Sequence, residues 1–295
     1  MKIYLDCHAC FVRQALEAAR MATDDEQVHA RVVKAVMARL IDLPPELTPI
    51  HVARDTQAVL RDACRGEDPY AEVKREYNAR ALAMVPTLHS HIEASADRLA
   101  AAVKLAIAGN IMDFGATGGL FDLEQVIDRA LASDLEDGAL DALGHQLAAA
   151  SLVLYLGDNT GEIVFDRLLI EEMNSLGQAE VVFVVRGAPV LNDATRADAD
   201  AVGMPAVARV VDNGSDAPGT VLEWCSPELR DLFDRADVVI SKGQGNYESL
   251  SGQEGPIFFL LQAKCAVVAR DLGVTEGATV LRAQTPAAAR AAAGT

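Results

Sequence analysis

Residues 151–166 read SLVLYLGDNTGEIVFD. An almost unbroken apolar run, SLVLYL, ends in a polar corner, GDNTGE, that holds two carboxylates, an amide and two glycines. A short apolar run closed by such a corner is the pattern of a strand buried on both faces, as in a parallel sheet. The texture recurs downstream. Residues 152–156, 181–185, 207–211, 238–240 and 266–269 are predicted as strands, with helical segments between the first four, and 257–262 reads as a further strand or a buried helical turn. Strands alternating with helices predict a doubly wound α/β domain with a mainly parallel sheet over residues 148–295. The final stretch, TPAAARAAAGT, reads as a helical or frayed tail.

Residues 1–147 have a mainly helical pattern. Thr23 with Glu26 predicts a capping box opening a helix through Arg39, closed at Leu43-Pro44-Pro45. The Ala-rich run 88–108 predicts one long helix with Gly109 in the C-cap place, and another helix is expected over 123–131. Two domains, 1–147 and 148–295, are therefore expected from the 295 residues. Hydrophobic residues make up 51 % and aromatic residues 5 % of the chain, which suits helices packed on an α/β sheet better than an aromatic-rich β-sandwich.

A net charge of -17 argues against a nucleic-acid partner, because phosphate backbones are met by basic surfaces. A phosphorylated small molecule would need local cations for the same reason. No apolar run reaches the roughly 18 residues needed to cross a bilayer, and the start of the chain lacks a signal-peptide pattern, so a cytoplasmic protein without a membrane partner is expected. The five cysteines are odd in number and unevenly spread, which predicts reduced thiols.

Loops that follow parallel strands emerge at the carboxyl edge of the sheet, where ligands bind. Four such loops, GDNTGE, RGAPVLND, DNGSDAPG and SKGQGNYE, are expected to converge on one crevice. Asp158-Asn159 has two readings. Asn159 is an N-cap with Glu162 as its capping partner, or the Asp158 carboxylate and Asn159 amide oxygen are hard ligands for Mg²⁺ or Mn²⁺. Capping supplies no reason for Asp158. Asn192-Asp193 is likewise a cap for the segment after it, or Asp193 joins Asp158 and Asn159 in an oxygen-rich site with positions left for water and substrate.

In SKGQGNYE, Gly243 and Gly245 permit close backbone approach, and Lys242 is a point charge suited to a phosphate oxygen; the alternative is a flexible turn with a solvated lysine. The spacing is not that of a Walker A loop. Cys7-His8-Ala9-Cys10 gives one CxxC at a helix start, where the helix N-terminus is expected to lower a thiol pKa and favour oxidation. Without a second CxxC, zinc and thioredoxin-like readings are poorly supported, and structural thiols, buried or partly exposed, are the alternative. Asn110 and Asp113 interrupt an apolar helix end and are expected to reach the site from the helical side.

These features, taken in order, closely resemble the damage-control phosphatase family, also known as domain of unknown function 89 and as the acidic-residue-methyltransferase-like metal-binding domain. The resemblance runs through CHAC, DPYAEVKREYN (68–78), AGNIMDFG (108–115), GDNTGEIVFD, VLND, SKGQGNYE and AKCAVVA (263–269), and so covers essentially the whole chain. The CxxC is similar to that of the family's prokaryotic branch. The resemblance implies a helical bundle beside a Rossmann-like three-layer α/β/α domain, with a divalent metal on Asp158, Asn159 and Asp193 and a phosphate-side contact from Lys242. It also implies hydrolysis of small phosphorylated metabolites, including sugar phosphates and phosphopantetheine-like compounds, with Mn²⁺, Co²⁺, Ni²⁺ or Mg²⁺.

On that basis the metal polarises the phosphoryl group and a water attacks, with Lys242 and the Gly243, Gly245 and Asn246 segment around the phosphate. Glu162 or Asp166, one helical turn apart, orients the water. An S-adenosylmethionine-dependent methyltransferase is the rival enzyme class, but Arg186 stands after the second strand where that chemistry needs an acidic residue. A non-catalytic metal or phosphometabolite-binding module is the third reading.

Overall fold

The computed structural model describes residues 1–44, 46–63, 68–109, 123–136 and 138–284. Among the described residues, seven helices precede the sheet: α1 (Leu5–Ala22), α2 (Glu26–Ile41), α3 (Pro49–Ala63), α4 (Ala71–Ala94), α5 (Arg98–Ala108), α6 (Leu123–Ala132) and α7 (Ala139–Ala149). Strands and helices then alternate: β1 (Leu152–Leu156), α8 (Glu162–Leu176), β2 (Glu180–Val185), α9 (Arg196–Ala201), β3 (Arg209–Asp212), α10 (Pro227–Arg235), β4 (Val238–Lys242), α11 (Gly243–Leu250), β5 (Ile257–Gln262), α12 (Ala266–Leu272) and β6 (Thr279–Gln284).

The sheet order is β3-β2-β1-β4-β5-β6, parallel throughout except for β6, which pairs antiparallel with β5. Progress along the chain runs outward from β1 through β2 to β3, then restarts at β4 on the other side of β1. This reversal opens a crevice beyond the carboxyl ends of β1 and β4, and it is there that the fold places ligands.

Every residue of β1 is buried, as expected for a strand covered on both faces. Its alternation divides the core. Val153 and Tyr155 join Phe183, Ile240, Phe258 and the helices α4–α8 on one side, whereas Leu152, Leu154 and Leu156 join Val182, Val239, Phe259 and α10–α12 on the other. Each fully buried Val, Leu, Ile or Phe contributes about 1.5–3 kcal/mol, so both faces are strongly held. A third core, built on Phe11, Ala15, Val32, Val36, Leu60 and Tyr70, belongs to α1–α3.

Several local expectations are corrected. The 88–108 run is two helices, because Asp97 accepts a hydrogen bond from Ala100 N at 2.8 Å and starts α5 afresh. The α2 cap is Asp25, not Thr23; its side chain accepts from Gln27 N. Residues 266–269 form α12 instead of a strand, and the place beside β5 is taken by the antiparallel edge strand β6, which was not anticipated. Residues 257–262 are a strand. Gly109 does sit at a helix C-cap, but with right-handed backbone; a Cβ there would lie 3.0 Å from the Phe165 ring, so α8's close approach is what demands glycine. Asn110, Asp113 and the tail 285–295 lie outside the described residues. Among the described residues, no helix is long and apolar enough to cross a membrane.

Candidate functional site

The loops after β1 and β2 are joined by backbone. Asn159 and Asp193 form an isolated antiparallel bridge, Ala194 N donates to Asp158 O at 2.8 Å, and Thr160 N donates to Asn192 O at 2.9 Å. This pairing brings Asp158, Asn159 and Asp193 together at the sheet edge. Neither pair caps a helix with its side chains. α8 starts after Gly161, whose N–H is taken by Asn78 Oδ1 from α4 at 2.8 Å, and α9 is opened by a Thr195–Asp198 capping box. Asn159 Nδ2 instead donates to Asp158 Oδ2 at 2.8 Å and to Glu162 Oε2 at 3.4 Å, which turns its amide oxygen away from both carboxylates.

Arg186 holds the two aspartates. Its Nε donates to Asp193 Oδ2 at 2.6 Å and its Nη2 to Asp158 Oδ1 at 3.3 Å, while Nη1 reaches Asn246 Oδ1 at 3.2 Å. A planar guanidinium fixes the spacing of the carboxylates it bridges. The loop after β4 presses in from the other side of the switch point. Gly243 has φ +76, and a Cβ on it would lie 1.9 Å from Asp158 Oδ2. Asn246 is fully buried; its Nδ2 donates to Lys242 O and Gly157 O, and its Oδ1 accepts from Thr220 Oγ1 at 2.8 Å. Asn246 thus ties the start of α11 to the end of β1.

Lys242 is not where a phosphate contact was expected. Its side chain is 0 % exposed, and its ammonium donates to Glu162 Oε1 at 2.6 Å, to Asp166 Oδ1 and to Ala106 O of α5 at 2.9 Å. Tyr155 OH also donates to Asp166 Oδ1, at 2.8 Å. The reason is the strand: Lys242 is the last residue of β4 and points into the sheet–helix interface, where among the described residues α8's carboxylates compensate it. Glu162 and Asp166 both face inward, but Glu162 is one hydrogen bond from Asn159 and Asp166 is not bonded to it.

Buried carboxylates crowd here. Asp158, Glu162, Asp166 and Asp193 are buried with Lys242 and Arg186, and the charges of buried Lys74 and of Lys264 act on Asp193 and Asp158 respectively. Burial pushes Asp158 up to about 8, helped by Asp193 and Glu162 and opposed by Arg186 and Lys264. Burial likewise pushes Asp166 up to about 7 against the pull of Lys242, and raises Asp193 against Arg186. Burial opposes the charge on Lys242 and Arg186, yet their carboxylate partners hold both above their ordinary values. Neighbouring carboxyl groups that burial and nearby negative charge push up, Asp158 and Asp193 above all, suit a divalent cation between them. The donors are hard oxygens, as Mg²⁺ or Mn²⁺ prefers, and among the described residues no group of three or more His, Cys, Asp or Glu side chains is placed to hold a metal ion. Any ion here would rest on the two carboxylates of Asp158 and Asp193 with open positions left over, and the Asn159 amide must turn over to add its oxygen, since its nitrogen faces Asp158.

Asp158, Asn159 and Asp193 line one end of a cavity of about 440 Å³. Gly245, Gln244 and Lys264 stand beside them, while Phe11 from α1 and Ile50 from α3, with Leu191, make an apolar wall opposite. Lys264 is exposed and its charge acts on Asp158. Gly243, Asn246, Glu162 and Asp166 do not line this cavity. Cys7, Cys10 and Cys265 also line the cavity; burial pushes the Cys7 thiol up, which overturns the lowering expected from the helix start.

Fold and site together define a doubly wound α/β protein with an acidic, oxygen-rich pocket at the topological switch point. The chain belongs to the damage-control phosphatase ARMT1-like domain family, whose model matches residues 3–280. It is 37 % identical over 290 residues to an uncharacterized protein of Methanocaldococcus jannaschii, covering 95 % of each chain. Relatives named damage-control phosphatase are similar too: one from Pyrococcus horikoshii, 32 % identical with 95 % of this chain and 97 % of that protein covered, and one from Archaeoglobus fulgidus, 34 % identical with 96 % and 99 % covered. The crystal structure of a DUF89 family protein from Pyrococcus horikoshii matches with a TM-score of 0.88 at 31 % identity, over 96 % of this chain and 99 % of that one.

Arg186, Asn78 and Lys264 are the residues that sequence reasoning missed in these roles. Arg186 was legible, since it follows β2 directly and the rule that places Asp158 at the carboxyl edge places Arg186 there as well. Asn78, reaching in from α4, and Lys264, after β5, carried no spacing signal.

Proposed function

We propose that the protein is a metal-dependent phosphatase acting on small phosphorylated metabolites, such as sugar phosphates or phosphopantetheine-like compounds, in the repair or removal of damaged metabolites. The observation that carries this reading is the backbone bridge that sets Asp158, Asn159 and Asp193 together on the lining of the cavity, where burial and repulsion from neighbouring carboxylates raise both carboxyl groups. Family membership supports it.

Asp158, Asn159 and Asp193 would hold Mn²⁺, Co²⁺, Ni²⁺ or Mg²⁺, which when bound supplies Lewis acidity toward a phosphoryl oxygen and a more acidic water. Arg186 keeps the two carboxylates apart and oriented, and Glu162 holds the Asn159 amide. Lys264 takes the role first assigned to Lys242, as the solvent-side cation that meets the substrate anion. Both candidate bases bond the Lys242 ammonium, and Glu162 is the nearer to the site because its other oxygen meets the Asn159 amide whereas Asp166 meets Tyr155. The apolar wall of α1 and α3 keeps bulk water from the reacting end.

The test is phosphate release from p-nitrophenyl phosphate and a panel of phosphometabolites by metal-stripped protein, with each of the four metals restored in turn, beside Asp158→Ala. Release in no metal, or release unaltered in the variant, would sink the reading. Methyl transfer from labelled S-adenosylmethionine would promote the rival.

A further inference from the structure

Three of the four described cysteines, Cys7, Cys10 and Cys265, line the cavity that holds the candidate site; the fourth, Cys225, is buried in the sheet core. The three come from two separate elements, Cys7 and Cys10 from α1 and Cys265 from the residue preceding α12. Such a concentration around one cavity is not a packing requirement, since small apolar residues would fill a wall as well. No three of these side chains are placed to hold a metal ion.

We propose that Cys7 and Cys10 are a reversible disulfide site that controls access to the cavity. They are one helical turn apart and share a face. Side chains so spaced have Cβ atoms about 5–6 Å apart, whereas a disulfide needs about 3.5–4.5 Å, so closing the pair must tighten the turn. α1 is built to permit this at low cost. Cys7 lies in its first turn, where Tyr4 at the N-cap offers no side-chain hydrogen bond and Cys7 N–H is held by Tyr4 O at 3.0 Å. Movement of that turn is transmitted across the cavity mouth, because Arg270 of α12 lies over the Tyr4 ring at 5.0 Å and pairs with Asp6. Arg13 Nη2 donates to Cys10 Sγ at 3.7 Å, on the same wall.

The co-reactant is a low-molecular-weight disulfide. One thiolate attacks it and releases one thiol; the second cysteine displaces the mixed disulfide and releases the other. The two cysteines together lose two electrons and two protons, which the disulfide gains.

The experiment uses the full chain and oxidised glutathione, followed by thiol blocking and a non-reducing tryptic map. Cleavage after Lys2 and Arg13 leaves both cysteines in one peptide, so the pair is read as loss of two hydrogens within it. Access is read by the rate at which iodoacetamide labels Cys265, expected to fall at least fivefold on oxidation and to recover with dithiothreitol. Cys10→Ser should label at the reduced rate with or without oxidant. A map showing persistent glutathione adducts, a link from Cys7 to Cys265, or an unchanged Cys265 rate would overturn the proposal. Control of turnover rests on the phosphatase reading, and predicts at least tenfold slower phosphate release from the oxidised protein. If no compound is hydrolysed at all while the map and the labelling behave as stated, the phosphatase reading fails and the access control stands.

Discussion

Gly243→Ala is the sharpest perturbation of the candidate site, since the residue touches no substrate-facing surface yet leaves Asp158 no room. The added Cβ would lie 1.9 Å from Asp158 Oδ2 and 2.4 Å from its Cγ, so the carboxylate must shift by about 1 Å or more, a displacement that costs on the order of 100-fold in catalysis at a well-oriented centre. A second cost is conformational: φ at Gly243 is +76, and a left-handed alanine costs roughly 1–2 kcal/mol. The two effects separate by comparison with Gly273→Ala, where φ is +69 and no atom lies within 4 Å of the added carbon. Gly273→Ala should lower Tm by about 2–4 °C per kcal/mol and leave Mn²⁺ affinity and turnover intact. Gly243→Ala should show a similar or larger Tm loss together with weakened Mn²⁺ binding by calorimetry and about 100-fold slower phosphate release. Wild-type metal affinity and turnover in Gly243→Ala would refute the idea that β4's loop positions Asp158.

Arg186→Met leaves Asp158 and Asp193 buried without their shared cation, and metal-free protein should lose about 3–5 kcal/mol in urea denaturation, with part of the loss restored by excess Mn²⁺; a loss below about 1 kcal/mol would contradict the clamp. Lys264→Ala should raise KM for a phosphorylated substrate without moving the urea midpoint, whereas Lys242→Met should lower the midpoint by a comparable 3–5 kcal/mol because it strands Glu162 and Asp166; the reverse assignment would return the phosphate contact to Lys242. Glu248 is pushed by burial from its ordinary 4.5 up to about 7, against the Gln244 hydrogen bond and the N-terminal amine. The folded state thus keeps a proton that the unfolded state has released, and stability should fall as pH rises between those two values and level off above. Glu248→Gln should remove that slope and gain up to about 3 kcal/mol at pH 8, which a pH series of denaturation midpoints would check.

What was legible in the sequence follows from periodicity and topology. β1 was read at its observed bounds because an apolar run between a helix end and a glycine corner has one interpretation in this context. From that strand, the carboxyl-edge rule brought Asp158, Asn159 and Asp193 together before any coordinates. Residues 266–269 failed for the converse reason: AVVA is as apolar as a strand, and only the pairing of β5 with a more distant segment leaves it free to be a helix. Lys242 failed because edge topology says where a loop emerges but not which way the last strand residue points. Its direction is fixed by partners in α8, and a lysine with two buried carboxylates in reach turns inward.

That inward turn explains why so much charge is placed behind the site instead of in it. A buried ion network contributes little net stability, since desolvation offsets its attraction. The Lys242 network nevertheless joins β4, α8 and β1 through Glu162, Asp166 and Tyr155, and reaches α5 at Ala106 O. These elements carry the switch-point loops, and Glu162 is also the residue that holds the Asn159 amide. Apolar side chains would join the same elements equally firmly but would tolerate small rotations of α8 about its axis. Hydrogen-bonded charges would not, because each rotation strands a carboxylate in a dry interface. The network's contribution is therefore angular: it fixes the direction of the first turn of α8, and with it the direction in which Asn159 presents its oxygen.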